Sequence, residues 1–256
     1  MHILVTNDDG INAPGLLALA QAVRPLGRVT VLAPDRNWSA SGHVKTLHRP
    51  LRVKETLLAD NTIGYASDGA PSDCVALALL GLFPEKIDVV LSGINPNANI
   101  GHDVTYSGTV TAAMEAAISG VPGLAFSLDS PENHLGSLDY GPAAQVALMI
   151  TRMTIEKHLP PTTLLNVNIP YLQVDEIKGI TITRQGLRIY RDQLVRRLDP
   201  RNRPYYWIGG DSPTGVAEDG TDYGAIAAGF VSITPLELDL TDYQTLTKLN
   251  DLTWTL

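Results

Sequence analysis

The chain of 256 residues has one cysteine, Cys74. An intramolecular disulfide is impossible and a cysteine metal cage is excluded. Cys74 lies in the apolar run 74–80 and reads as a residue packed inside a helix, not a reactive thiol. Positive charge is also scarce: 19 Lys and Arg stand against 27 Asp and Glu, for a formal net charge of -8. That balance argues against a broad nucleic-acid surface. No apolar run is long enough to span a bilayer. The first residues are strand-like, without a basic segment leading into an apolar one, so the expected compartment is the cytoplasm and no membrane partner is expected. Two phosphate-binding signatures are missing as well. There is no P-loop lysine, and no G-x-G-x-x-G follows the first strand, which argues against an NTPase and against a dinucleotide cofactor. What remains, 44% hydrophobic and 18% charged residues, is the balance of an ordinary folded protein, long enough for one large α/β domain or one with an appendage.

The pattern along the chain alternates. Residues 2–6 (HILVT) are a short β-branched run ended by Asn7-Asp8-Asp9-Gly10, which reads as a buried strand and a turn. Pro14, Leu16, Leu19, Ala20 and Val23 suit a helix before Gly27. Residues 29–33 (VTVLA) form a second strand, and strand, helix, strand at this spacing is the βαβ unit of a parallel sheet. Helices are then expected over 72–82, 109–119 and 143–156, and strands over 87–91, 123–127 and 164–169. After Pro170 the character changes. Residues 179–184 and 205–209 alternate like exposed or hairpin strands, residues 199–206 suggest a projecting arm, and 230–234 return to a buried strand before a polar helix or tail. The fold class is α/β, a Rossmann-like and mostly parallel sheet flanked by helices, with a smaller C-terminal β-hairpin arm. Residues 1–170 form the expected core and 171–256 the C-terminal region. That boundary is soft, because strands on both sides can share one sheet.

In an open parallel sheet, ligands bind beyond the carboxyl ends of the strands where the strand order reverses. The informative positions are therefore Asn7 to Gly10, the loop 35–43 and Ser92 to Asn95. Asp8 and Asp9 are adjacent carboxylates that repel each other. A divalent cation reverses that repulsion, and Gly10 lets the chain turn so that both approach one ion. The same four residues are good turn chemistry, and the strand-end position tips the balance towards metal. An acidic protein that handles an anionic substrate must create local positive charge, which a cation also supplies. Ser39 and Ser41 can complete a cation's shell or be an ordinary polar loop, and Asn95 can offer a carbonyl ligand or simply turn the chain. An oxygen-rich set of this kind favours magnesium or manganese over zinc. Residues 106–110 (YSGTV) precede an Ala-rich helix, where free N–H groups and the hydroxyls of Ser107 and Thr109 can cradle phosphate or cap the helix. Asp103, four residues earlier, is placed either to protonate a leaving oxygen or to hydrogen-bond the loop. His43 and His102 share this rim.

Taken together, Asn7-Asp8-Asp9-Gly10, Ala33-Pro34-Asp35-Arg36-Asn37 with Ser39, Ser92-Gly93-Ile94-Asn95 and Tyr106-Ser107-Gly108-Thr109-Val110 resemble the survival protein SurE family. Gly220-Thr221-Asp222-Tyr223, Val231 to Leu236 and Asp239-Leu240-Thr241 are similar too, in the family's order and spacing. The resemblance implies a 5′/3′-nucleotidase hydrolysing nucleoside monophosphates, with one divalent cation, Mg2+ or Mn2+, per subunit. It implies Asp8, Asp9, Ser39 and Asn95 as metal ligands and Ser107, Gly108 and Thr109 as phosphate holders. Asp8 and Asp103 then carry the catalysis. It also implies a homodimer or homotetramer formed by exchange of C-terminal segments. Asn97 and Ala98 stand where relatives often have a glycine-containing loop, and Glu237 where some carry a His. The competing reading is a non-catalytic nucleotide-binding regulatory module with the same pocket. A nucleotide-sugar transferase and a structural interaction protein rank below it. The haloacid-dehalogenase pattern does not apply, because Asp8 and Asp9 have no spacer residue between them.

Overall fold

Strand β1 (His2–Thr6) is buried along its whole length, and the rest of the molecule is built around it. The structure is a computed structural model that describes residues 1–255, without the side chains of Asp211 and Ser212. Successive residues of a strand face opposite sides, and β1 uses both. Ile3 and Val5 join a core that includes Leu16 and Leu19 of α1 (Pro14–Val23) and Val146 and Ile150 of α4 (Gly141–Glu156). Leu4 joins a core with Cys74 and Val75 of α2 (Pro71–Leu77) and Ala112 and Ala116 of α3 (Gly108–Ile118). The sheet thus has helices on both faces, and a strand covered on both sides reads as a continuous apolar run. Cys74 is fully buried, and burial pushes its thiol pKa up, as its apolar neighbourhood led us to expect.

The other strands are β2 (Arg28–Pro34), β3 (Val53–Leu57), β4 (Ile63–Ser67), β5 (Val89–Asn95), β6 (Gly123–Asp129), β7 (Leu164–Pro170), β8 (Ile180–Ile182), β9 (Arg188–Leu198), β10 (Pro204–Gly215) and β11 (Val231–Pro235). Among the described residues the main sheet runs β3-β4-β2-β1-β5-β6-β7-β11-β8. It is parallel except where β3 meets β4 and β11 meets β7. β11 and β8, from the C-terminal region, are therefore part of the core sheet. β9 and β10 form a separate antiparallel hairpin, the arm. Its tip is closed by Asp199, whose carboxylate accepts from the backbone of Arg201 and Arg203 at 2.8 and 2.9 Å. A short helix, α5 (Asp222–Ala227), precedes β11, and a last helix, α6 (Tyr243–Asn250), buries none of its residues.

The differences from the sequence reading are local. β3 and β4 were not expected, because Lys54, Glu55 and Thr56 are polar or charged, as suits the outermost strand of a sheet. The helix expected over 72–82 ends as α2 at Leu77, and a wider turn with Gly81 at φ +105 follows. β5 starts later than expected and runs on to Asn95.

The strand order reverses between β1 and β5. The chain leaves β1 towards β2 on one side and later returns to β5 on the other, with Thr6 opposite Ser92. Residues just beyond these two strands therefore emerge side by side at one crevice. Gly15 keeps α1 tight against that place, since a Cβ there would collide with the carbonyl oxygen of Ile94 and stand 2.9 Å from Tyr140 Cε1. Gly15→Ala is expected to destabilise the fold by about 2 kcal/mol, in the range of core overpacking. An unchanged urea midpoint would contradict this close approach.

Candidate active site at the β1–β5 crevice

The turn after β1 is clamped by its first residue. Asn7 Oδ1 accepts from the Gly10 N–H and Asn7 Nδ2 donates to the Gly10 carbonyl, both at 3.1 Å. Gly10 has φ +102, and a Cβ there would sit 3.2 Å from the Arg36 carbonyl oxygen, so glycine is required. Asn7 and Gly10 make the turn, and Asp8 and Asp9 are what it presents. Asp8 is buried and Asp9 half-buried. Burial raises the Asp8 carboxyl, opposed by the Thr109 hydroxyl, which donates to Asp8 Oδ1 at 2.5 Å. Burial and the neighbouring Asp8 charge push Asp9 up to about 7.

The loop after β2 is brought in by backbone and side-chain ties. The Trp38 N–H donates to the Asp8 carbonyl at 2.7 Å and the Gly42 N–H to the Tyr106 carbonyl at 2.9 Å. Buried Glu115 on α3 accepts from His43 Nε2 at 2.9 Å and Lys45 Nζ at 3.0 Å. Buried Asp73 accepts from the Thr46 N–H and hydroxyl. Between these ties Ser39 lies at the crevice, its N–H held by Asn37 Oδ1 at 2.6 Å. Asn95, the last residue of β5, donates from Nδ2 to the Asn97 carbonyl at 2.5 Å, which leaves its Oδ1 as the free end.

The result is a cavity of about 320 Å³ into which Asp8, Asp9, Ser39, Asn95, Asp103 and Ser107 all look. Gly108 and Thr109 form the wall behind Asp8. Both are buried, and a Cβ on Gly108 would fall 2.6 Å from Asp8 Cβ. Ser107 caps α3, accepting from the Val110 N–H at 3.1 Å, and its own hydroxyl proton is left for another partner. His43 is engaged with Glu115, and His102 is exposed, so neither lines the cavity. Asn97 and Ala98 do line it, and the loop forms without a glycine there. Glu237 cannot reach it within this chain. β11 runs antiparallel to β7, with Pro235 opposite Leu165, so the residues after β11 lie on the opposite rim of the sheet.

Asn99, Arg188 and Tyr190 had no signal in the sequence. Asn99 is tied by Asn168 Oδ1 (2.8 Å from its N–H) and by Asn166 Nδ2 (2.8 Å from its carbonyl), a buried network from β7 that fixes the 96–99 loop. Arg188 at the base of the arm forms an ion pair with Asp103, Nε to Oδ2 3.1 Å. Burial raises the Asp103 carboxyl and Arg188 pulls it back only in part. Tyr106 and Tyr190 complete the lining.

A divalent cation fits this donor set. Two carboxylates, a hydroxyl and an amide oxygen are hard oxygen ligands, and among the described residues no Lys or Arg lines the cavity to balance Asp8 and Asp9. Among the described residues no three His, Cys, Asp or Glu side chains are grouped to hold a metal, so a cation held here would need the Ser39 and Asn95 oxygens beside the two carboxylates. Two variants test the electrostatics. In EDTA at pH 8, where the raised Asp9 carboxyl is ionised at a cost, Asp9→Asn is expected to be about 1 kcal/mol more stable than wild type and so to melt higher. Thr109→Val leaves Asp8 without its hydroxyl donor and should cost about 1–3 kcal/mol. The opposite order of melting temperatures would contradict the assignment.

Comparison with known proteins places this geometry. Residues 3–192 match the family model described as "Survival protein SurE". A protein of Herpetosiphon aurantiacus named 5′-nucleotidase SurE is 50% identical over 254 residues, 99% of each chain. One of the same name from Chloroflexus aggregans is 51% identical over 255 residues, 99% of this chain and 100% of the relative. The crystal structure of the SurE protein from Aquifex aeolicus superposes with a TM-score of 0.82 at 42% identity, covering 98% of both chains. The turn, loops and helix start that build the crevice fall inside the matched region, and the chain belongs to the survival protein SurE family.

Proposed function

We propose that the crevice is the active site of a cation-dependent phosphatase that hydrolyses nucleoside 5′- and 3′-monophosphates to nucleoside and phosphate. Nucleotidase activity is supported by curated relatives at about half identity over nearly the whole chain. The observation that carries the chemistry is the convergence of Asp8, Asp9, Ser39, Asn95, Asp103 and Ser107 on one cavity at the point where the strand order reverses.

Asp8, Asp9, Ser39 and Asn95 are the residues assigned to hold one magnesium or manganese ion. Bound there, such an ion supplies positive charge against the phosphoryl oxygens and makes water more acidic. The chain's own groups do the rest. Thr109 fixes the orientation of Asp8, and Gly108 lets the helix start approach it without a side chain between them. The Ser107 hydroxyl donates to a phosphate oxygen, and the Gly108 and Thr109 backbone lies behind it at the positive end of α3. Asp103, held at the cavity by Arg188, assists proton transfer to the leaving nucleoside oxygen.

Residues 1–170 make the catalytic core in this reading, and 171–256 the region that assembles the oligomer while lending Tyr190 to the cavity and Arg188 to Asp103 beside it. Exchange of C-terminal segments between copies, giving a homodimer or homotetramer, is supported by the arm, where Leu194 and Ile208 are exposed by 70% and 81%, and by the unburied α6. No helix among the described residues is long and apolar enough to cross a membrane. The proposed location is the cytoplasm.

The test is phosphate release from a panel of nucleoside 5′- and 3′-monophosphates with Mg2+ or Mn2+ and again with EDTA. Release is expected only with cation, and Asp9→Asn should lose at least about a hundredfold, the scale of removing one charge-stabilising group. Undiminished release in EDTA would remove the cation from the account, and no release with any cation would remove the enzyme.

A further inference from the structure

The cavity is two-ended. Asp8, Ser107 and Asn99 are buried at its polar end, whereas Tyr106 and Tyr190 stand at its mouth, exposed by 62% and 40%. A nucleoside monophosphate has the same division, with an anionic phosphate at one end and a planar, weakly polar base at the other.

Tyr190 belongs to the arm, which is otherwise a separate sheet, so its presence at the cavity needs a cause. Asp222, fully buried, accepts from the Gly101 N–H at 2.8 Å with one oxygen and from the Gly186 N–H at 2.7 Å with the other. Gln185 Nε2 adds a bond to the Gly101 carbonyl at 3.0 Å. The two backbones are so close that a Cβ on Gly101 would lie 2.5 Å from the Gly186 carbonyl oxygen. Two residues later Arg188 pairs with Asp103. Arg188 and Tyr190 are two apart on β9 and share a face, so fixing Arg188 against Asp103 turns Tyr190 towards the cavity. Tyr106 is tied to the same residue by its backbone, its N–H donating to the Asp103 carbonyl at 3.0 Å.

Resting on the phosphatase reading above, we propose that Tyr190, together with Tyr106, binds the face of the nucleobase by stacking and so sets the preference for nucleotides over sugar phosphates that lack a base. A tyrosine ring offers a rigid apolar face with few rotatable bonds. Stacking of this kind tolerates any base, because every base has a π-face. The two rings are selectivity-determining and take no part in the bond that breaks.

Tyr190→Ala, Tyr106→Ala and Tyr190→Phe test this, with AMP and ribose 5-phosphate as paired substrates that share sugar and phosphate. The ratio of kcat/KM for AMP to that for ribose 5-phosphate is expected to fall about tenfold in each alanine variant, through KM. Tyr190→Phe should keep the wild-type ratio, since the ring alone is needed. A ratio unchanged in both alanine variants, or a loss shared equally by the two substrates, would overturn the proposal and leave the tyrosines a structural role. Calorimetric titration with AMP gives a readout that needs no turnover. If the wild type releases no phosphate from either ester, the phosphatase reading fails. The stacking proposal then stands if AMP binding weakens about tenfold in Tyr190→Ala, and falls if it does not.

Discussion

Two carboxylates, Asp8 and Asp9, are held side by side at the end of the central strand, and among the described residues no cationic side chain lines the cavity that receives them. Neighbouring like charges in a partly buried place cost stability, and nothing in the packing of the fold requires them. The surrounding structure is organised to keep them there. Asn7 clamps the turn, Gly10 permits it, Gly108 clears the space and the Thr109 hydroxyl fixes Asp8. Like-charge repulsion kept in place by groups that over-determine it supports the proposal that the two carboxylates hold a cation.

The second feature is how far along the chain the supporting residues lie. The loop after β2 is tied to the Asp8 carbonyl, to Tyr106, to Glu115 and to Asp73. The 96–99 loop is fixed from β7 by Asn166 and Asn168. Asp222 joins the segment at 101 to the one at 186 and so brings the base of the arm to the cavity mouth. A bound cation would act on a frame already assembled by these ties, and rigid support of this kind is what positional catalysis needs.

Much of this was legible before the structure. The β-branched run before Asn-Asp-Asp-Gly located the central strand, and the alternation that follows gave the parallel sheet and its flanking helices. The strand-end rule then pointed to the loops that converge. Of the two readings of the Asn7–Gly10 segment the turn is seen, made by Asn7 and Gly10, and it leaves room for the other, since Asp8 and Asp9 are what it presents. Outside that pattern the sequence was silent. β3 carries charge on an outer edge, and β4 beside it, Ile63–Ser67, is short and has no apolar alternation to betray it. Arg188 and Tyr190 act across the fold, and a contact between residues 103 and 188 leaves no trace in local spacing; Asp222 stands in a motif shared with the family, but the two segments it ties are visible only in the structure. Thr109 sits where a phosphate donor was expected, but its hydroxyl is committed to Asp8, a distinction only geometry makes. Glu237 follows a strand whose antiparallel direction takes it to the far rim, which its neighbours in sequence do not disclose.

The central claim, that Asp8 and Asp9 exist to hold a cation, is tested most directly by equilibrium binding of Mn2+ to the protein without substrate. The account predicts one site per chain in the wild type, abolished in Asp8→Asn and strongly weakened in Asn95→Ala. One site per chain that persists unchanged in Asp8→Asn would put the cation elsewhere and contradict it.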